Sequence, residues 1–203
     1  ISKMNTSNFY TYQPDILGNG YQQLTLNFAD DYDGKVVATL VRKKAAQSTK
    51  KAVLYVHGFT DYFFQKEMAE QFNQHGYDFY ALDLRKYGRS KLPHQTLYYV
   101  RDLREYDAEI SKSLEIISQE NHNQVLLAGH STGGLITTLY AAHYPDHRLV
   151  KALWANSPFY DFFKSIIEKK VVILFLSEFG KRFPNAKFPI CLNPWFFLSL
   201  FKK

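Results

Sequence analysis

The chain of 203 residues has a single cysteine, Cys191, which excludes an internal disulfide and the class of small disulfide-stabilised scaffolds. A lone thiol fits a reducing compartment, and we therefore predict a cytoplasmic location. No apolar run approaches the ~18 residues that a membrane-spanning helix needs, and the first residues lack the apolar stretch of a signal peptide. The length of the chain predicts one domain, with or without an insertion, that can bury a good core.

The sequence also has fewer acidic than basic residues: 19 aspartates and glutamates against 25 lysines and arginines, which gives a net charge of +6. The basic residues form short scattered clusters, and no basic helix face carries interleaved aromatic residues. Nucleic acid is therefore not a predicted partner, whereas peripheral contact with anionic lipid remains open. The sequence has no H-E-x-x-H or C-x-x-C motif and no phosphate loop, so no metal and no cofactor is predicted.

Short apolar runs that alternate with helix-like segments make up most of the chain. The runs predicted as strands are Ala52–Val56, Asp78–Leu82, Gln124–Ala128 and Leu149–Trp154. The helices predicted between them are Phe64–His75, Leu97–Glu120 and a segment that starts after Ser131 and ends before Pro145. Such alternation favours a parallel sheet with right-handed crossovers.

Two further runs, Leu24–Phe28 and Val36–Val41, precede this alternating part and flank Asp33-Gly34, which is a strong hairpin signal. The predicted fold class is therefore α/β, with a mostly parallel sheet, helices on both faces and an antiparallel hairpin at the start. In such sheets the reactive groups gather beyond the carboxyl ends of the parallel strands. His57, Asp83 and Ser131 each lie at or just beyond such a strand end.

The pentapeptide Gly129-His130-Ser131-Thr132-Gly133 lies between a predicted strand and a predicted helix. This is the context that a nucleophile elbow requires, because a serine on a sharp strand-to-helix turn presents its hydroxyl above the end of the strand. Gly129 and Gly133 allow the neighbouring backbone to pack without a Cβ clash. We therefore predict Ser131 as the catalytic nucleophile, although G-x-S-x-G also occurs by chance.

An oxyanion formed at Ser131 would need hydrogen-bond donors. One predicted donor is the backbone N–H of Thr132, directly after the nucleophile, and the other is that of Phe59 in the loop after the first parallel strand. Gly58 permits the tight bend that would turn the Phe59 N–H towards Ser131. Alternatively, His57-Gly58 is only a turn that ends a strand.

Two histidines close to these motifs are weak candidates for the general base. His130 precedes the serine on the turn, so its side chain should diverge from the hydroxyl. We expect His57 to form local hydrogen bonds and to fix the oxyanion loop. The charged residues of the segment 83–90 should pair with one another or cap backbone groups, which is a structural role.

The serine motif, His57-Gly58 and the segment Asp83-Leu84-Arg85-Lys86-Tyr87-Gly88-Arg89-Ser90 together resemble the α/β-hydrolase superfamily. The likeness is greatest to its monoacylglycerol lipase and lysophospholipase branch, and it runs from about Leu24 to Pro158. The resemblance implies a serine hydrolase that acts through an acyl-enzyme on a small-molecule or lipid-like ester. It also implies a hydrolase core in 1–158 and the start of a cap in 159–203.

The superfamily pattern places an acid and then a histidine after the serine. The stretch after Trp154 is too short for a cap and the strands that would carry both, since one βαβ unit alone takes ~30 residues. His143 and His147 should lie far from the serine, and His94 is the best remaining candidate base. We therefore expect the chain to be the N-terminal part of a longer hydrolase. The alternative is a non-catalytic fragment or ligand-binding module of the same fold.

Aromatic and aliphatic residues are frequent at the start of the predicted cap. Those that could line an acyl pocket, or only pack the cap on the core, are Phe159, Tyr160, Phe162, Phe163, Ile166 and Ile167. If this face is left partly bare, self-association through it is expected.

Overall fold

The computed structural model describes residues 10–160. The strands are β1 (Gln13–Pro14), β2 (Gln22–Asp31), β3 (Gly34–Lys43), β4 (Lys51–Val56), β5 (Asp78–Asp83), β6 (Gln124–His130) and β7 (Val150–Asn156). The α-helices are α1 (Lys66–Gln74), α2 (Asp107–Gln119) and α3 (Thr132–His143), and short 3-10 turns span Gly88–Ser90 and Leu103–Tyr106.

The seven strands form one sheet in the order β1-β2-β3-β5-β4-β6-β7. Strands β5, β4, β6 and β7 are parallel to one another, whereas β1, β2 and β3 pair antiparallel, and β3 also runs antiparallel to β5. The predicted hairpin is the β2–β3 pair, and Gly34 has a φ of 90°, which suits a glycine at the turn. The predicted α/β fold class is confirmed.

Side chains alternate between two cores, one on each face of the sheet. On β4, Leu54 and Val56 belong to the core shared with α2 and α3, whereas Val53 and Tyr55 face the core that contains α1. This alternation explains why β4 has no polar residue between Ala52 and Val56, since a strand covered on both faces must be apolar throughout. Helices therefore cover both faces, as predicted.

The prediction of one helix over Leu97–Glu120 is wrong at its start. Residues 97–102 are irregular, and Tyr98 has a left-handed backbone with a φ of 63°. Asp102 then caps the following turn. Its side chain accepts a hydrogen bond from the Arg104 N–H, and its N–H donates one to the Glu105 side chain. This capping box, with aspartate and glutamate three residues apart, is a start signal that the apolar spacing alone did not reveal.

The predicted cap falls almost entirely outside the described residues, which end at Tyr160. The division at 158/159, the cap helix and the lining residues from Phe162 onward therefore stay predictions. Within residues 10–160, no helix is both long enough and apolar enough to cross a bilayer. The cytoplasmic location also stays a prediction.

Candidate active site

Ser131 lies on the turn between β6 and α3, with backbone angles of φ 54° and ψ −119°. A residue with a side chain rarely adopts this conformation, so the surrounding structure must impose it. Hydrogen bonds on both sides hold the turn: the Ser131 N–H donates to the Asn156 carbonyl of β7 at 3.1 Å, and the Ser131 carbonyl accepts from the Gly134 N–H at 3.0 Å. The sharp strand-to-helix turn expected from the sequence is present.

The two glycines of the motif are required by close backbone contacts. A Cβ on Gly129 would lie 2.3 Å from the Gly133 carbonyl oxygen, and a Cβ on Gly133 would lie 2.3 Å from the carbonyl oxygens of Val56 and His57. Any side chain at either position would collide with main-chain atoms. Strand β6, helix α3 and the end of β4 therefore meet at distances that only glycine permits.

Ser131 is half-buried at the carboxyl edge of the parallel strands. Across residues 10–160, no side chain or backbone group forms a hydrogen bond with its Oγ. The hydroxyl is thus held on a fixed turn, and the part of the chain that the structure describes offers it no proton acceptor.

The loop that follows β4 runs directly beside the elbow. A Cβ on Gly58 would lie 3.3 Å from the Cβ of Ser131, so this loop and the serine are in contact. Within the described part of the chain, the N–H groups of Phe59 and Thr132 have no acceptor. Thr132 begins α3, whose free N–H groups and helix dipole favour negative charge at this end.

His57 is buried and uses both ring nitrogens in local hydrogen bonds, as expected. Its Nε2 lies 3.1 Å from the Leu84 N–H and must accept, so Nδ1 carries the proton and donates to the Gly58 carbonyl at 2.8 Å. Burial lowers the pKa of this imidazole, which favours the neutral form. His57 therefore joins the ends of β4 and β5 and has no nitrogen left for Ser131.

The loop after β5 is tied to the loop after β4 by a buried cluster around Asp83 and Arg89. Asp83 accepts from the Phe63 N–H at 2.8 Å and from the Arg89 guanidinium at 2.8 Å. Arg89 also donates to the Phe63 carbonyl at 2.9 Å and pairs with Asp15 at 2.7 and 2.9 Å. The charges pair as expected from the sequence, but Asp15 was not anticipated, because no local pattern links residues so distant in the chain.

Two other cations of the same loop connect it to neighbouring elements. Arg85 pairs with the buried Glu109 of α2, and the Lys86 ammonium lies 2.9 Å from both Asp31 and Asp33 at the β2–β3 turn. The segment 83–90 is therefore anchored at several points along its length.

No hydrogen bond joins His130 to the Ser131 hydroxyl among residues 10–160, and the divergence of the two side chains stays a prediction. The His130 Nδ1 lies 3.2 Å from the Asn156 carbonyl at the end of β7. Next to it opens a pocket of about 250 Å³, lined by Tyr55, Gln65, Met68, Gly129, His130, Trp154 and Asn156. Because Ser131 is not in that lining, the pocket lies beside the elbow rather than over the hydroxyl.

None of the candidate bases is brought to Ser131. His94 lies next to Gly34, where a Cβ would be 3.5 Å from its Nε2. Gly34 belongs to β3, which is three strand positions from β6 and hence about 14 Å away across the sheet. His143 is in the last turn of α3 and bonds to Asp107 at 2.8 Å, and His147 follows beyond the same end of that helix.

The strand order, the crossover helices and the serine turn together define an α/β-hydrolase fold. Residues 47–196 match the sequence model of the Hydrolase_4 family, described as serine aminopeptidase, S33. This match covers more than half of the chain, and the chain therefore belongs to that family.

Relatives agree with this assignment but leave the reaction open. The chain is 31% identical to mouse epoxide hydrolase 4 over 71% of its own length and 39% of that protein. It is 28% identical to probable lysophospholipase L2 of Haemophilus influenzae, over 66% of this chain and 43% of that one. The chain thus spans about two fifths of the length of these relatives.

Among solved structures, the fold is similar to that of a soluble variant of monoglyceride lipase from Saccharomyces cerevisiae. The TM-score is 0.59 at 18% identity, and the alignment covers 80% of this chain and 53% of that one. At this identity the likeness establishes the fold and not the substrate.

Proposed function

We propose that this chain carries the nucleophile half of a serine hydrolase that cleaves carboxylic esters through an acyl-enzyme on Ser131. The observation that carries the proposal is the Ser131 hydroxyl on a strained turn, in contact with Gly58 and close to a helix N-terminus. Phe59 and Thr132 would donate their N–H groups to the oxyanion of the tetrahedral intermediate.

The remaining residues of the site have supporting roles in this proposal. Gly129 and Gly133 allow the turn, Gly58 brings the oxyanion loop against the serine, and His57 fixes that loop through Leu84. His130 holds the end of β7 through the Asn156 carbonyl. None of these groups takes the serine proton.

The chemistry of a serine nucleophile favours an ester over an epoxide. Attack of Ser131 on an ester carbonyl breaks the bond to the alcohol and leaves an acyl-enzyme, which water can cleave at the same carbonyl. Attack on an epoxide would open the ring and leave an alkyl ether, which has no carbonyl for water to attack. We therefore favour an ester as the substrate, although the mouse relative is named an epoxide hydrolase.

A lipid-like ester is the substrate class that we favour. Both the lysophospholipase relative and the monoglyceride lipase are named for esters of this kind. The net positive charge of the chain would help it to approach anionic lipid surfaces.

A second function is supported by one observation: no histidine among residues 10–160 reaches the Ser131 hydroxyl. A chain without a general base could bind esters without turning them over. For the 203 residues alone we therefore expect hydrolysis of p-nitrophenyl butyrate near the background rate. Rapid turnover that disappears in Ser131→Ala would support the hydrolase and reject the binding module.

Labelling with a fluorophosphonate probe, followed by mass mapping of the modified peptide, tests the nucleophile directly. We expect slow labelling of Ser131 that is absent in Ser131→Ala. Ser157→Ala is the matched control, because Ser157 is also at a strand end with a positive φ but lies outside the elbow. Labelling that persists in Ser131→Ala, or that maps to another residue, would reject the proposed nucleophile.

A further inference from the structure

Aromatic rings form a series of contacts that leads from Phe59 to His57, at the start of the loop after β4. The Phe59 ring lies 5.5 Å from the Tyr98 ring, which lies 4.8 Å from the Tyr87 ring, and Tyr87 lies 4.8 Å from His57. Two tyrosines from the loop after β5 therefore bridge the two ends of the segment that contains Gly58. In the described part of the chain, Tyr98 is the aromatic residue that contacts Phe59.

The backbone around Phe59 has one hydrogen-bond restraint among residues 10–160. The Phe59 N–H shares a peptide plane with the Gly58 carbonyl, which accepts a hydrogen bond from His57 at 2.8 Å. Thr60 has a left-handed φ of 54°, the Phe59 side chain is 45% exposed, and the Phe59 N–H has no acceptor in the described part of the chain. The ring contact with Tyr98 is therefore a second restraint, which acts together with the His57 bond on the direction of this N–H.

Tyr98 is itself held in an unfavourable conformation. Its φ is 63°, and its N–H donates at 3.4 Å to the carbonyl of Lys86, which also has a positive φ of 66°. The Lys86 ammonium is fixed in turn by Asp31 and Asp33. Left-handed residues with side chains persist where the surroundings impose them, and they concentrate at functional sites.

We propose that Tyr98 is a positioning residue, whose ring holds the Phe59 side chain and thereby, together with the His57 bond to the Gly58 carbonyl, the direction of the Phe59 N–H. This inference rests on the proposed function, since it assigns that N–H to the oxyanion. It adds a residue outside the serine motif and the His57-Gly58 loop to the machinery of the reaction. Tyr98 touches no reacting atom and acts only through Phe59.

Three variants of the 203-residue chain test this role. Tyr98→Leu removes the ring, Tyr98→Phe keeps it, and Tyr99→Leu is the matched control. The control removes a ring pair of the same kind, because Tyr99 lies 5.5 Å from Tyr32 in an edge-to-face contact that does not involve the loop. Phe59→Leu removes the same ring contact by changing its exposed partner, and it serves as the test if Tyr98→Leu fails to fold.

Deuterium exchange of peptides that cover 57–62 and the rate of fluorophosphonate labelling are the two measurements. In Tyr98→Leu and in Phe59→Leu we expect amide exchange about tenfold faster in the loop and labelling about tenfold slower. Tyr98→Phe should keep the exchange rate and the labelling rate within about twofold of those of the original chain, and Tyr99→Leu should change neither rate. The double variant Tyr98→Leu/Phe59→Leu should be labelled no more slowly than the more slowly labelled single variant, because the two changes remove the same contact.

Unchanged exchange in both Tyr98→Leu and Phe59→Leu would overturn the proposal, as would an equal effect of Tyr99→Leu. If exchange rises in the loop but labelling keeps its rate, the ring holds the loop without positioning an oxyanion donor, which also overturns it. If Ser131 of the original chain is not labelled at all, the proposed function fails. Exchange alone then decides whether Tyr98 holds the loop.

Discussion

Strands β5 and β7 both belong to the parallel part of the sheet, yet their surroundings differ sharply. Every residue of β5 is buried, and the loop that follows it is tied down by ion pairs. On β7, by contrast, Leu153 and Trp154 are 40% and 41% exposed. Its outer edge pairs with no strand among residues 10–160.

This difference shows that strand type alone does not decide burial. Both segments are apolar in their middle, but β5 has a neighbour on each side and a helix layer on each face, whereas within residues 10–160 β7 has one neighbouring strand. The loop that contains Gly58 and its ion-paired supports lie on the well-packed side. On the β7 side of the elbow, the Asn156 carbonyl accepts from the Ser131 N–H and lies 3.2 Å from His130 Nδ1, and a pocket opens beside them. Among residues 10–160, the candidate site is therefore supported by buried ion pairs on one side and by a partly exposed strand on the other.

The largest effect is expected on the packed side, from Arg89→Leu. This change leaves Asp15 and Asp83 buried without their cation, which typically costs about 3–5 kcal/mol. Urea unfolding measures the loss in the free energy of unfolding. Arg104→Leu is the control, because its pair with Asp102 is exposed, and it should leave the unfolding midpoint unchanged. If Arg89→Leu and Arg104→Leu lost equal free energy of unfolding, the buried ion pairs after β5 would not be a special support of that side.

A matched pair of leucines tests the comparison most directly. Leu127 of β6 and Leu153 of β7 are partners in the sheet, but Leu127 is fully buried. Leu127→Ala should lower the free energy of unfolding by about 2–5 kcal/mol, and Leu153→Ala by less than about 1 kcal/mol. If thermal or urea melts show a large loss for Leu153→Ala, the β7 side is covered in solution.

Gly133→Ala tests the close backbone contact between the two sides. The new Cβ would meet the carbonyl oxygens of Val56 and His57, and such overpacking typically costs about 1–3 kcal/mol, with a larger value expected here because main-chain atoms must move. Gly134→Ala is the neighbouring comparison, since its Cβ would lie 2.9 Å from the Cβ and 3.1 Å from the Cα of Pro158, which is a milder clash than the 2.3 Å contacts at Gly133. Chemical unfolding of both variants should show the greater loss for Gly133→Ala.

The smallest effect concerns the pH dependence of stability. Burial lowers the pKa of His57, so the unfolded chain takes up a proton below about pH 6.5 while the folded chain does not. Protonation thus favours the unfolded state, and this contribution reduces stability as the pH falls, by up to about 1.4 kcal/mol per pH unit. Urea melts at pH 7.5 and 5.5 should show a smaller difference for His57→Gln than for the original chain. An identical difference would mean that His57 titrates normally.

Local signals were enough to predict most of the secondary structure and the serine turn. Apolar runs bounded by glycine or proline located β4, β5, β6 and β7, and the G-x-S-x-G context located the left-handed Ser131. Periodicity failed at residues 97–102, because helical spacing of apolar residues there coexists with the left-handed Tyr98. The aspartate and glutamate of the capping box were a readable signal for the true start.

Long-range pairings could not be read from the sequence. The insertion of β5 between β3 and β4, and the pairing of Arg89 with Asp15, depend on how distant segments pack. The ring contact between Tyr98 and Phe59 likewise joins two loops that no motif connects. Such contacts follow from the whole fold, and the sequence indicated only that charged and aromatic residues were present near the strand ends.

The backbone contacts of Gly133 have a consequence for when the serine turn can form during folding. Residues 124–143 contain the whole motif, but the carbonyl oxygens that press on Gly133 belong to Val56 and His57, more than seventy positions earlier. An isolated peptide of those twenty residues would relax to an ordinary bend. The positive φ of Ser131 is thus acquired only once β4 has docked against β6, and a nascent chain would not hold this turn before its core is assembled.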